Sequence, residues 1–330
     1  EEKRTLDTEV LRPLRGDFFC MPFGGNNAWR GEDHPAHGEV ATARWKHAAL
    51  QCDDGVRRFS ARMDTAARPG RVTKELTLVD GQNVIYTAHT LEGFGGKMCL
   101  GHHATLAVPP EEGGLLVSSS PFALGMTNPG LFSDPAEGEY QSLAIGAKFR
   151  RLDRVPTLWK DCRWADCSSF PRRAGFTDLL ALMKKPGKSP AWMTAVCPSQ
   201  GYLWFSLKDP SVLPTTAFWI SNRGRHGAPW DGRNRCLGLE DVCAYFAEGL
   251  ADSARKNELN EAGFPTTITL SKRRPSVIRY IEGAVAIPKS FSRVKTARFG
   301  PDEVTFTDEN GKSVTAAVRH GFLHDGAVRD

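Results

Sequence analysis

Short segments rich in β-branched and aromatic residues, each closed by a turn signal, run the length of this 330-residue chain. VTKELTLV at 72–79 mixes apolar and polar residues with a rough period of two. Asp80-Gly81 marks a hairpin-type turn, and NVIYTAHTL at 83–91 follows as the next strand. Further strands are expected at 114–119, 191–197, 201–207, 215–221, 266–270, 276–281, 293–298, 303–307 and 313–318. The 32 glycines and 21 prolines supply frequent turns. Helical signals are few: FTDLLALMKK at 176–185 reads as a short helix, and 240–259 has apolar positions at helical spacing. Neither alternates with strands in a βαβ rhythm, so a doubly wound sheet is disfavoured. The expected class is all-β, a large antiparallel sandwich, with 1–330 as a single domain and the tail after Pro288 completing the sandwich. No internal repeat stands out, and SKRRP at 271–275 reads as a solvated loop.

A hydrophobic content of 40% and a charged content of 25% suit a globular chain with a sizeable core. The net charge of +5 is spread along the sequence. Its densest group, Arg223, Arg225, Arg233 and Arg235, is interleaved with Gly, Trp and Asp. A nucleic-acid surface would show a basic stripe or a known module, so no nucleic-acid partner is expected. A small anionic substrate, such as a sugar phosphate or uronate, fits this charge pattern better. No apolar run approaches the roughly 18 residues of a membrane span, so no membrane partner is expected. No leader is visible at Glu1, and the expected location is cytoplasmic, with trimming of an exported protein left open. Oligomeric state is unconstrained. Among the eight cysteines the only close pair is Cys162 and Cys167, and no CxxC or finger-spaced His accompanies it, so no metal site is expected. Buried free thiols are the plainer reading, although an even count admits one or two bridges.

Three features carry chemistry. The stretch 219–245 packs Trp219, Asn222, Arg223, Arg225, His226, Trp230, Asp231, Arg233 and Arg235 into a Gly-rich run, then enters Cys236-Leu237-Gly238-Leu239 and delivers Glu240. Aromatic faces and planar donors grip polyhydroxylated rings, and a carboxylate beside apolar strand sequence tends toward a raised pKa. Glu240-Asp241 could equally open a helix, where acids favour the N-terminal dipole. Second, Gly101-His102-His103-Ala104 adjoins apolar strand sequence. Neighbouring strand residues face opposite ways, so only one of the two imidazoles can face a given pocket. Third, His37-Gly38 ends a loop that begins at Met21-Pro22-Phe23, before a strand expected at 39–45; His37 reads either as a pocket residue or as a surface-turn histidine.

The order of these features resembles the aldose 1-epimerase (galactose mutarotase-like) superfamily. The resemblance spans roughly 20–285. It rests on His37-Gly38 with Trp45, on Gly101-x-His103, on the late Glu240, and on the Ala262-Gly263-Phe264-Pro265 stretch that leads into a strand. It implies a β-supersandwich of large antiparallel sheets with few short helices and a carbohydrate cleft on one concave face. It implies a small-molecule carbohydrate as partner and no cofactor or metal. Glu240 would take the proton of the anomeric hydroxyl and His103 would protonate the ring oxygen. The two groups would then face one cleft a sugar ring apart. His37, Arg30, Asn222, Arg223, Asp231 and His102 would contribute to substrate binding, with Trp230 stacked on the ring. Departures accompany the match: Gly24-Gly25-Asn26 stands where the family often has an Arg, leaving Arg30 nearest, and Ala104-Thr105-Leu106 replaces the family's aromatic residues. A non-catalytic carbohydrate-binding protein and an epimerase of a phosphorylated or acidic sugar remain the alternatives.

Overall fold

Alternation and turn chemistry act as written in the hairpin around Asp80-Gly81. Gly70–Val79 pairs antiparallel with Val84–Glu92 on one side and Val56–Thr65 on the other. The computed structural model of the chain describes residues 11, 16–25 and 27–329; Asn26 of the Gly24-Gly25-Asn26 stretch falls outside them. Two large antiparallel sheets are present. One has seven strands, in the order Phe19–Cys20, Leu100–Ala107, Arg235–Cys243, Thr215–Asn222, Phe176–Met183, Leu124–Thr127 and Lys148–Phe149. The other has nine, in the order Ser169–Phe170, Leu115–Ser119, Ala191–Cys197, Tyr202–Lys208, Ser276–Ala286, Val84–Glu92, Gly70–Val79, Val56–Thr65 and Lys46–Asp53.

The sheets meet over a core in which Leu180, Leu182, Phe218, Leu237 and Leu239 of the first pack with Val117, Met193 and Ala195 of the second. On the far side of the seven-stranded sheet, Leu179, Ala181 and Ala217 pack under Phe246, Leu259 and Phe264. A strand buried on both faces shows no alternation. This is why 176–185, expected to be a helix, is the central strand Phe176–Met183. The 240–259 segment likewise begins as strand, ending at Cys243, and turns helical only at Leu250–Ala254 and Glu258–Glu261. The strand expected at 39–45 is instead the one-turn helix Glu39–Thr42.

The tail does not complete either large sheet. Val294–Phe299, Glu303–Asp308 and Ser313–Ala317 form their own three-stranded sheet. Its Val304 and Phe306 pack against Leu203, Phe205 and Leu207 on the outer face of the nine-stranded sheet, so the tail adds a third layer. Burying a phenylalanine such as Phe205 or Phe306 contributes about 2 kcal/mol relative to exposure. All eight cysteines are free thiols. Among the described residues no helix is long and apolar enough to cross a membrane.

Candidate acid–base site

Leu100–Ala107 runs beside Arg235–Cys243 with His103 opposite Glu240 and His102 opposite Asp241. Strand alternation then gives each face of the sheet one imidazole and one carboxylate. His103 and Glu240 share the face turned away from the nine-stranded sheet. There Nε2 of His103 and Oε1 of Glu240 stand 3.1 Å apart, and the two residues are 5% and 2% exposed. They are in contact, not a sugar ring apart. Oε1 has no hydrogen-bond partner among the described residues.

Rings wall the pair. Phe18 stacks on His103 at 4.4 Å, His37 meets it edge-on at 5.1 Å, and Trp219 approaches edge-on at 6.0 Å. Thr105, two residues along and therefore on the same face, places Oγ1 3.2 Å from His103 Nδ1. In this dry shell a charge is poorly solvated. Burial pushes Glu240 up to about 8. Burial, with His37 as a second cause, holds His103 well below the usual imidazole range. A buried ion pair would need hydrogen bonds on its remaining lone pairs, and Oε1 has none. Near neutrality the pair is therefore a carboxylic acid beside a neutral imidazole.

His37 reaches the cluster from the loop. Its Nδ1 accepts the Gly24 N–H at 3.4 Å and lies 3.3 Å from Cys20 Sγ, and burial lowers its pKa to about 4. Gly38 has a φ of 79°, and a Cβ there would fall 2.0 Å from the Met21 carbonyl oxygen. Two loop segments pass so closely that only glycine fits.

The other candidates are dispersed. Trp230 packs edge-on against Trp219 at 5.8 Å and so extends the aromatic wall. Arg225 lies over Trp230 at 5.7 Å and pairs with Glu139 at 3.1 Å. Asp231 pairs with Arg233 at 2.9 Å, Arg223 is exposed, and the Arg30 guanidinium lies over Trp29 at 5.1 Å. Arg30, Arg223 and Asp231 all have positive φ, of 51°, 66° and 50°. Asn222 and His102 face the other way. Asn222 is opposite Arg235 and donates to the Arg172 and Arg173 carbonyls at 3.0 and 2.9 Å. His102 is fully buried between the sheets, 2.7 Å from Asp17 Oδ2 and stacked on Tyr280 at 4.1 Å. In that same layer Asp241 accepts from Ser206, Thr216 and Tyr280 and pairs with Lys208 at 2.5 Å. Neither His102 nor Asn222 can touch a ligand held by His103 and Glu240, because a sheet stands between.

Phe18 and Thr105 join the site without having been expected there. Thr105 carries a sequence signal in its parity with His103. Phe18 carries none, since it lies outside any strand and meets His103 only through the tertiary fold. Among the described residues no cluster of three or more metal-ligating side chains is present. A cavity of about 460 Å³ at the sandwich end is lined by neither His103 nor Glu240.

No family model matches the sequence, and no curated protein matches it. Solved structures do match. A galactose mutarotase-like protein from Clostridium acetobutylicum, 11% identical, superposes with a TM-score of 0.56 over 87% of this chain and 84% of that one. A galactose mutarotase related enzyme from Lactobacillus acidophilus, also 11% identical, gives 0.51 over 86% of each. At this identity the likeness establishes the fold: the chain has the galactose mutarotase-like supersandwich.

Proposed function

We propose that the protein is an isomerase of the aldose 1-epimerase type, interconverting the anomers of a small sugar through Glu240 and His103. The observation that carries this reading is the register of the two residues: a carboxyl and an imidazole on neighbouring strands, 3.1 Å apart inside an aromatic shell. Anomer exchange requires a donor for the ring oxygen and an acceptor for the anomeric proton within reach of one ring. Burial leaves the resting proton on Glu240. In ring opening Glu240 protonates the ring oxygen as its bond to C1 breaks, while His103 takes the anomeric hydroxyl proton as the carbonyl forms. Rotation about C1–C2 and reversal of both transfers closes the other anomer. This gives Glu240 and His103 the reverse of the opening roles that the family resemblance implies, with the same total proton count.

The pair is in contact at rest, so a sugar must part the two groups as it enters. Trp219 and Trp230 offer faces for the apolar side of the ring. Arg225, half-buried between Glu139 and the Trp230 ring, offers a cation to an acidic substituent. The chemistry moves only protons and needs no redox cofactor. Polarimetry of freshly dissolved α-aldoses tests the reading: added protein speeds the approach to equilibrium for at least one sugar, and no effect on any of them contradicts it.

One observation favours a second reading, a non-catalytic carbohydrate-binding protein. The two groups touch, are almost wholly buried, and do not line the 460 Å³ cavity. Under that reading sugars bind without any gain in anomer exchange.

A further inference from the structure

The 460 Å³ cavity lies at the end of the sandwich, where Ile220 and Asn222 face it from the side of the sheet opposite Glu240. Its volume falls within the roughly 300–1,000 Å³ of small-molecule sites. The walls include Val108, Phe170, Phe176 and Ile220. Its polar groups differ in what remains free. Asp178 is consumed: it accepts from the Ser142 amide at 2.7 Å, the Ser142 hydroxyl at 2.6 Å and the Leu143 amide at 2.8 Å. Arg172 is held by Asp166 at 3.0 Å. Arg173 lies over the Trp159 ring at 4.3 Å and donates to Cys162 Sγ at 3.5 Å, with no carboxylate partner among the described residues, and Arg235 has no ion-pair partner among them either. The charged groups left without a counter-charge or a full set of hydrogen bonds are therefore cationic and planar, and they border an apolar chamber. Guanidinium groups bind carboxylates in a fixed fork geometry.

We propose that this cavity is a second ligand site. It takes a small molecule with a flat apolar or aromatic body and one carboxylate. The body rests against Phe170, Phe176 and Ile220, and the carboxylate is held by Arg235 and Arg173. The sheet separates this site from the His103–Glu240 pair, so the two sites bind independently.

Calorimetric titration of the full chain with 1-naphthoate and with its uncharged counterpart, naphthalene-1-methanol, tests this. The site predicts binding of naphthoate at least tenfold tighter than of the alcohol. It predicts a loss of about tenfold or more in Arg235→Gln, corresponding to one charged hydrogen bond. It predicts unchanged naphthoate binding in Glu240→Gln. Arg173→Gln, expected to weaken binding in the same direction, carries the test if Arg235→Gln fails to fold. Equal affinity for the two probes, no binding of naphthoate, or loss of binding in Glu240→Gln would overturn the assignment.

Discussion

A Cβ added at Gly238 would lie 2.4 Å from Oε1 of Glu240 and 3.0 Å from Cβ of Trp219. The carboxyl of Glu240 thus occupies the space above its own strand that a side chain two residues earlier would fill. The glycine in the Leu-Gly-Leu-Glu run is what allows the acid to lie flat beneath Trp219 and against His103. Gly238→Ala should push the carboxyl away from Nε2. A displacement of about 1 Å in such a pair costs roughly 100-fold in rate, and overpacking costs about 1–3 kcal/mol of stability. Anomer-exchange rates and urea unfolding of the variant measure the two effects separately.

Glu240 couples stability to pH in a definable direction. Its pKa is about 8 in the fold against 4.5 as the ordinary value, so between these pH values the folded state holds a proton that the unfolded chain releases. Its contribution is complete below pH 4.5 and is lost as pH rises through about 8. Wild-type stability measured against that of Glu240→Gln should fall from pH 5 to pH 8, and the variant should be the more stable at the upper end. Urea midpoints across this range provide the comparison.

His37 acts in the opposite sense. Burial lowers its pKa from 6.5 to about 4, so the unfolded chain takes up a proton that the folded state refuses. Its contribution is complete above pH 6.5 and is lost as pH falls toward 4, by about 3 kcal/mol. His37→Gln should remove this part of the acid sensitivity, seen as a smaller drop in thermal midpoint between pH 7 and pH 4.5.

On the face of Arg235–Cys243 opposite Glu240, Asp241 forms a buried pair with Lys208 of the nine-stranded sheet, 2.5 Å apart and each side chain 1% exposed. Burial opposes the charge on Asp241, but Lys208 and the surrounding hydroxyls outweigh it and keep its pKa low. Lys208→Met should cost about 3–5 kcal/mol, because it leaves the buried Asp241 carboxylate without its counter-charge. Adding Asp241→Leu should recover part of that loss. Denaturant unfolding of the single and double variants reads the difference.

Much of the strand pattern is legible in the sequence because half-buried strands alternate, as at 72–79 and 83–91. The central strand Phe176–Met183 is not, because burial on both faces erases the alternation that separates strand from helix. Alternation alone puts His102 and His103 on opposite faces, but it does not say which of them meets Glu240. That depends on the register between Leu100–Ala107 and Arg235–Cys243, a long-range property that no local motif carries. Register likewise sends Asn222 to the sandwich end, although in sequence it sits among the arginines and tryptophans of the site wall. The direct contact of His103 and Glu240 is illegible too, since it follows from the room left at Gly238 and the cover supplied by Phe18.

Saturation-transfer NMR across a panel of free aldoses and sugar phosphates, with wild type beside Glu240→Gln, tests the central claim most directly. The account predicts that wild type accelerates α/β exchange for at least one sugar, and that the variant lowers the rate by about 10²–10⁴-fold. Sugar resonances that broaden without faster exchange, or an acceleration that Glu240→Gln retains in full, would contradict it.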